Sequence, residues 1–371
     1  MNFDWTEDEQ SLREKVRLAL RDFRDPDPAD LSDLRRSTLR VLGKLAESEY
    51  LSLESRNDAM ALVAAQEVTA RASASLFLAV EVTARLFGGF PAEFGTTKEA
   101  EDILTSVRKG EIIGAVAASE SEQFGPSYSH PTEAERVGDY YRLSGLKSFV
   151  TNAPIADWIA VMGRVEGNPT IFLVRAGQPG LTLGPRLKTL GYDGLAVSTV
   201  EMRGVEVPSD LTLGPFPDGS RIAHIFVEQD RILTMASVGL MQRTVEAAKE
   251  HALAHCRDGK AIFRYQEIRF KLAEMLTLSQ TAQLLAYRAA WLRKVGDSEA
   301  RMVLHCAKVF SSEAAEQVAS MGMQILAGQG YSRENPVGQA YRDAKFAAIA
   351  GTTSEVGRIM IAHDLLQRYR V

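Results

Sequence analysis

Two cysteines in 371 residues, Cys256 and Cys306, leave nothing from which to build a disulfide framework. Both sit in helical-looking segments without metal-ligand spacing, which argues against a zinc site and for buried structural thiols in a reducing compartment. His224, His251, His255 and His305 form no metal spacing either and are expected on helix surfaces or at core edges. An excess of one charge is also missing: a net charge of −5, with acids and bases interspersed, offers no footprint for nucleic acid. The stretch Met1 to Glu7 has no basic segment followed by an apolar run. No later stretch reaches the ~20 apolar residues of a membrane span, so a cytoplasmic protein without a membrane partner is expected. Repeats, low-complexity tracts and a flexible interdomain linker are absent from the sequence.

What is present changes period twice. Thr6 caps a segment carrying Leu12, Val16 and Leu20 on one face, and Leu34, Leu39, Val41, Leu42 and Leu45 predict a second helix. Ala61 to Leu86 is rich in Ala, Leu and Val. Around Ile112 the pattern becomes short alternating runs such as Trp158 to Met162, Thr170 to Val174 and Ser198 to Met202, separated by Gly, Asn and Pro turns. From Ile222 long helical patterns return, with breaks near Gly259 and between Gly328 and Pro336. Tyr287 and Trp291 look like bundle core, and Arg342, Asp343 and Lys345 like a structural ion-pair element between helices.

The last fifth carries the sharpest signal: Gln324-Ile325-Leu326-Ala327-Gly328-Gln329-Gly330-Tyr331, then Tyr341-Arg342-Asp343-Ala344-Lys345, then Gly351-Thr352-Thr353-Ser354-Glu355. These runs resemble the C-terminal signature of the acyl-CoA dehydrogenase family. Glu67 to Arg71, Gly95 to Glu111, Ala117 to Glu120 and Leu143 to Ala153 resemble that family's earlier motifs, so the match covers nearly the whole chain. The resemblance implies a multidomain α+β fold. Its parts are an N-terminal helical domain over 1–111, a middle β-barrel domain over 112–218 and a C-terminal four-helix bundle over 219–371.

It also implies FAD. Ser119, Phe149 and Thr151 fall where the family bonds and packs the isoalloxazine ring, and a flat amphipathic ring wants one apolar plane and a few hydrogen bonds. Gln324, Gly328, Thr353 and Glu355 fall on contacts to the adenosine and pyrophosphate, and Gln266 on the motif's closing Gln. Departures are visible too. His255 and Asp258 occupy the positions of a phosphate-gripping Arg and a Phe, leaving Arg257 as a substitute cation or as a solvated helix-end residue. The loop near Leu53 to Met60 is shortened and has lost its glycines, which implies a reshaped acyl pocket. The run Ser121 to Ser127, with Gly125 as a candidate substrate contact, fits only loosely.

Gly351 stands where the family usually places its catalytic Glu. The backbone N–H of that position, which in the family helps to polarise the thioester carbonyl, survives the replacement. A carboxylate must then come from elsewhere. Asp230-Arg231-Ile232-Leu233 with Gly239 to Gln242 resembles a branch, typified by isovaleryl-CoA and long-chain acyl-CoA dehydrogenases, that moves the base to an earlier helix directly before an Arg. Asp230 lands on that base position, with Arg231 as a substrate contact, the alternative being an Asp–Arg surface pair. Glu228 is the second candidate, two residues round the helix.

The expected function is α,β-dehydrogenation of an acyl thioester, on CoA or an acyl-carrier protein, with electrons passed to an electron-transfer flavoprotein. A homotetramer or dimer of dimers is implied. The alternatives are a flavin oxygenase or oxidase on the same fold, and a catalytically silent subunit paired with an active homologue.

Overall fold

The computed structural model describes residues 5–23, 26, 28–54, 57–120, 132–217 and 220–368. Gly125 and the loop around it lie outside these residues, as does the side chain of His224.

Six helices come first: α1 (Glu7–Leu20), α2 (Leu31–Glu47), α3 (Ala59–Ala72), α4 (Ala74–Glu81), α5 (Gly89–Phe94) and α6 (Lys98–Arg108). Their starts are written in local chemistry. Thr6 and Glu9 form a reciprocal capping box at α1, Asp30 caps α2, Ser73 caps α4 and Thr97 caps α6. Each such cap is worth about 1 kcal/mol, because it satisfies an amide that has no partner inside its helix. Between α4 and α5 the chain runs as a π-helical stretch, Val82–Phe87.

Together Ala74–Phe94 is long and apolar enough to cross a membrane, which corrects the expectation that no segment is. Its residues are instead largely buried, with Phe77 and Leu86 in the helical core and Phe87, Phe90 and Phe94 against the sheet.

A mixed eight-stranded sheet follows, formed by β1 (Gly114–Ala117), β2 (Glu133–Val137), β3 (Tyr140–Thr151), β4 (Trp158–Val165), β5 (Asn168–Arg175), β6 (Leu181–Leu183), β7 (Val197–Pro208) and β8 (Thr212–Leu213). The strand path is β6-β7-β3-β2-β4-β5-β8, with β1 added in parallel to β4. Leu143, Val161, Phe172, Val174, Val200 and Val205 fill its interior, the inward half of the alternation that the sequence shows.

The long helices α7 (Ser220–Ala254), α8 (Gln266–Lys294) and α9 (Ala300–Leu326) then pack together, with a two-stranded ribbon, β9 (Cys256–Arg257) and β10 (Lys260–Ala261), between the first two. The shorter α10 (Pro336–Ile349) and α11 (Ser354–Arg368) lie against α9. Helix α7 also crosses α3 so closely that a methyl on Gly239 would sit 2.5 Å from the backbone of Ala70.

Three bland expectations change. Cys256, on the β9 ribbon, is exposed, and Cys306, on α9, is half-buried. Trp291 is 38% exposed, whereas Tyr287 packs edge-on against Trp5 at 4.8 Å. His305, expected at a surface or core edge, is buried because α9 runs between α7 and the two C-terminal helices.

Arg342, Asp343 and Lys345 are structural, but only Lys345 makes the expected ion pair between helices. Arg342 pairs with Asp193, Lys345 with Glu316, and Asp343 accepts the Tyr192 N–H, locking a loop of the sheet domain onto α10.

Candidate active site

The first part of the site is the end of β3. The pairing of β3 with β7 slips between Lys147 and Val150, and within that irregularity Phe149 adopts a left-handed φ of 54°. A bulge of this kind re-aims a side chain, and here it turns Phe149 outward, 64% exposed. Ser119, also exposed, is held beside it: its carbonyl accepts the Ser148 N–H at 2.9 Å. Thr151 is half-buried at the end of the strand.

Two residues that the resemblance matched without giving them a role, Lys147 and Asn152, do the positioning. Lys147 is buried, and its Nζ donates to the Ala118 carbonyl at 3.1 Å and to Glu120 at 2.5 Å, stapling the Ser119 segment to β3. Burial pulls its ammonium below the ordinary lysine range. Asn152 donates from Nδ2 to the carbonyls of Ala79 at 2.9 Å and Gly114 at 3.1 Å, fastening the strand end to α4 and β1. An uncovered aromatic on a bulge, with two hydroxyl residues at the same strand end, offers one apolar face and a few hydrogen bonds to a flat amphipathic ring.

The second part joins α7 to the loop between α10 and α11. Asp230 is fully buried and does not pair with Arg231, so the surface-pair alternative falls. Its Oδ1 accepts the Thr352 N–H at 2.8 Å across 122 residues of sequence. A methyl built on Gly351 would stand 2.5 Å from that same oxygen. The Asp230 carboxyl therefore occupies the space that a side chain at 351 would need. Gly351 has φ +63°, is exposed, and its N–H makes no hydrogen bond among the described residues, which leaves it available to a carbonyl oxygen.

Lys308 fixes this loop from beneath, its buried Nζ donating to the carbonyls of Ala347, Ala350 (3.1 Å) and Thr352 (3.0 Å). Burial lowers the proton affinity of Lys308, and the charge of Asp230 raises it. His305 also faces Asp230, its Nδ1 3.8 Å from Oδ2. Neither residue belongs to a motif that would have revealed it.

Glu228, the second candidate base, is elsewhere. It is buried between Arg231 at 2.5 Å and Arg293 at 3.3 Å, and lines a separate cavity of about 880 Å³. Leu53, Glu54, Arg85 and Arg108 border the same cavity, so the shortened loop does shape a pocket. Arg231 reaches this cavity too, already paired with Glu228.

The six residues assigned to the nucleotide end are exposed or half-buried, and one protomer does not gather them. Arg257 is 78% exposed on the β9 ribbon and Gln266 opens α8, while Gln324 and Gly328 stand exposed at the far end of α9. Thr353 and Glu355 begin α11, beside Lys308. Lys308 and Gln324 are 16 residues apart on one helix, about 24 Å at 1.5 Å per residue. His255, at the lost Arg position, stacks on His251 at 4.9 Å, and burial together with that neighbour lowers the pKa of His251.

Residues 115–205 match the acyl-CoA dehydrogenase middle domain, and residues 218–366 match the acyl-CoA dehydrogenase C-terminal domain. The chain is 31% identical over 381 aligned positions to benzylmalonyl-CoA dehydrogenase of Aromatoleum aromaticum, spanning 98% of this chain and all of that one. This chain belongs to the acyl-CoA dehydrogenase family. It is also 33% identical over 322 positions to the human mitochondrial short-chain specific acyl-CoA dehydrogenase, covering 84% of this chain and 77% of the relative. Among solved structures, butyryl-CoA dehydrogenase from Megasphaera elsdenii superposes with a TM-score of 0.86 over 99% of this chain and all of that one, at 24% identity, which speaks for the fold. The family is one of flavoprotein oxidoreductases acting on CH–CH bonds. The protein is an oxidoreductase of the acyl-CoA dehydrogenase type.

Proposed function

We propose that this protein is an FAD-dependent acyl-CoA dehydrogenase whose base is Asp230. The observation that carries the reading is the contact between Asp230 Oδ1 and the space above Gly351, because it brings a carboxylate oxygen to the position from which the family's side chain would start. FAD, when bound, supplies the acceptor for the hydride that leaves the β-carbon. The chain's own residues do the rest. Phe149 offers the apolar face and Ser119 and Thr151 the hydrogen bonds that seat the ring, the Gly351 N–H polarises the thioester carbonyl, and Asp230 receives the α-proton. Because Asp is one methylene shorter than Glu, its reach depends on how closely α7 approaches the loop, and that approach is what Gly351 permits.

Electrons then leave to an electron-transfer flavoprotein. Butyryl-CoA and benzylmalonyl-CoA, named by the relatives, are the first substrates to test, and the same acyl groups on a carrier protein form a second arm. Assembly into a homotetramer is supported by the scatter of the nucleotide contacts over surfaces some 24 Å apart in one protomer. Pairing with a homologous chain that donates an Arg is the second reading, favoured by His255 standing exposed where the family has a guanidinium.

Anaerobic bleaching of the flavin by an acyl-thioester tests the proposal. Asp230→Asn should retain FAD and lose bleaching by at least about 100-fold. Undiminished bleaching in that variant would rule out Asp230. The doubly changed Asp230→Gly/Gly351→Glu should regain part of the rate, because removing one carboxylate clears the space for the other.

A further inference from the structure

Asp230 Oδ2 and His305 Nδ1 are both buried, both without a hydrogen-bond partner, and they face each other 3.8 Å apart. Two adjacent unpaired polar atoms in an interior are unusual, since buried polar groups are almost always satisfied. In the tautomer that carries its proton on Nε2, Nδ1 and Oδ2 meet lone pair to lone pair and make no bond. One proton placed on Oδ2 removes both vacancies at once, because a carboxylic acid donates where an imidazole nitrogen accepts.

We propose that His305 is the positioning partner of Asp230, its Nδ1 being the acceptor for the proton that Asp230 takes from the substrate. The inference rests on the reading of Asp230 as base. In the step, the substrate's α C–H bond breaks, its electron pair enters the forming double bond as the β C–H bond gives up its hydride to FAD, and the proton goes to the Asp230 carboxylate. The resulting O–H on Oδ2 then donates to His305 Nδ1 as the two close from 3.8 Å to ordinary hydrogen-bond length. In that tautomer the hydrogen bond exists only after proton transfer, so it stabilises the product side of the step and not the resting enzyme, the kind of interaction that accelerates rather than merely binds.

The carboxylate is arranged for this division of labour. Oδ1 is turned to Thr352 and Gly351, where the substrate must arrive, and Oδ2 is turned inward to α9.

The surroundings keep the imidazole neutral and able to accept. Burial is the first influence lowering its pKa, and Arg301 and Lys308 from its own helix lower it further, while Asp230 from α7 and Asp364 from α11 act in the opposite sense. Arg301 and Asp364 pair at 3.1 Å, so their opposing effects on His305 come as a unit at the surface side of the ring.

The protein has six histidines, so ¹³Cε1–¹H spectra of histidine-labelled, FAD-loaded protein give few signals, and the one missing in His305→Phe is His305. In Asp230→Asn that signal should titrate at lower pH than in wild type, because the carboxylate that holds the imidazolium is gone. An unchanged titration overturns the pairing, whatever the turnover. A shifted titration with undiminished bleaching in Asp230→Asn overturns the assignment of the base on which the inference rests.

A second readout needs no change at Asp230. With butyryl-CoA as probe, bleaching should fall about tenfold in His305→Phe, the size of one hydrogen bond, at unchanged flavin content. His305→Asn, whose amide oxygen can take the acceptor place, should recover part of the rate. Equal rates in wild type and His305→Phe would refute the role.

Discussion

At the scale of single residues, two positions 121 apart in the chain share one space. Gly351 and Asp230 exclude one another's alternatives: a side chain at 351 would overlap the Asp230 carboxyl, and would also have to tolerate φ +63°. Burial works against a different carboxylate, Asp343, whose pKa it pushes up to about 6 despite hydrogen bonds from Tyr192 and Gln339. The sign follows from the shift. The folded state holds this proton more tightly than the unfolded chain, so the group's contribution to stability is greatest in acid and declines as pH rises from about 4 to about 6. The difference amounts to roughly 3 kcal/mol at 1.36 kcal/mol per pH unit. Asp343→Asn keeps an acceptor for the Tyr192 N–H and removes the charge. Its stability, followed by urea unfolding between pH 4 and 7, should lose this downward component, and a slope identical to wild type would show that Asp343 is not its source.

Among elements, the decisive join is that of α9 with the α10–α11 loop. Lys308 donates to three carbonyls at the end of α10 and in that loop, and so fixes the height at which Gly351 meets Asp230. Lys308→Met would leave these acceptors without their donor in an interior that offers no replacement. A loss of about 2–4 kcal/mol is expected, visible as a lower Tm, together with weaker bleaching because the Gly351 N–H is no longer held in place. Unaltered thermal unfolding would mean that the loop is held by its own turn and not by the lysine. Sequence periodicity located the long helices and several of the strands, because helix and strand patterns are local: Thr6 announces α1, and Val200 and Met202 alternate along β7. It did not locate the bulge at Phe149. Nothing in the identity of Lys147 to Val150 says where a pairing with β7 will slip.

Over the whole molecule, the exposed apolar residues gather on the C-terminal helices, with Phe270, Leu276 and Leu284 on α8 and Ile359, Met360 and Leu366 on α11. Faces of this kind in a chain with a well-filled core of its own fit burial against other subunits. Sedimentation velocity should therefore give a tetramer, or a dimer of dimers. Leu366→Glu should dissociate it and lower the flavin content together, since the residues assigned to the nucleotide end lie on distant surfaces of one protomer. A monomer that retains one flavin per chain would show that the site is complete within a protomer.

The order of helices, sheet and helices was legible in the sequence itself, because helix and strand periods are carried by neighbouring residues, and Gly351 in the C-terminal motif was legible from the resemblance alone. The acyl-CoA dehydrogenase motifs placed Asp230 as a candidate but could not separate it from a surface ion pair. Tertiary structure decided that question, by burying Asp230 against Thr352 and Gly351 while drawing Glu228 into a different cavity with Arg231 and Arg293. It alone brought in His305 and Lys308, 75 and 78 positions further along the chain. A contact between helices depends on crossing geometry and packing depth, and neither is written in the spacing of residues along either helix.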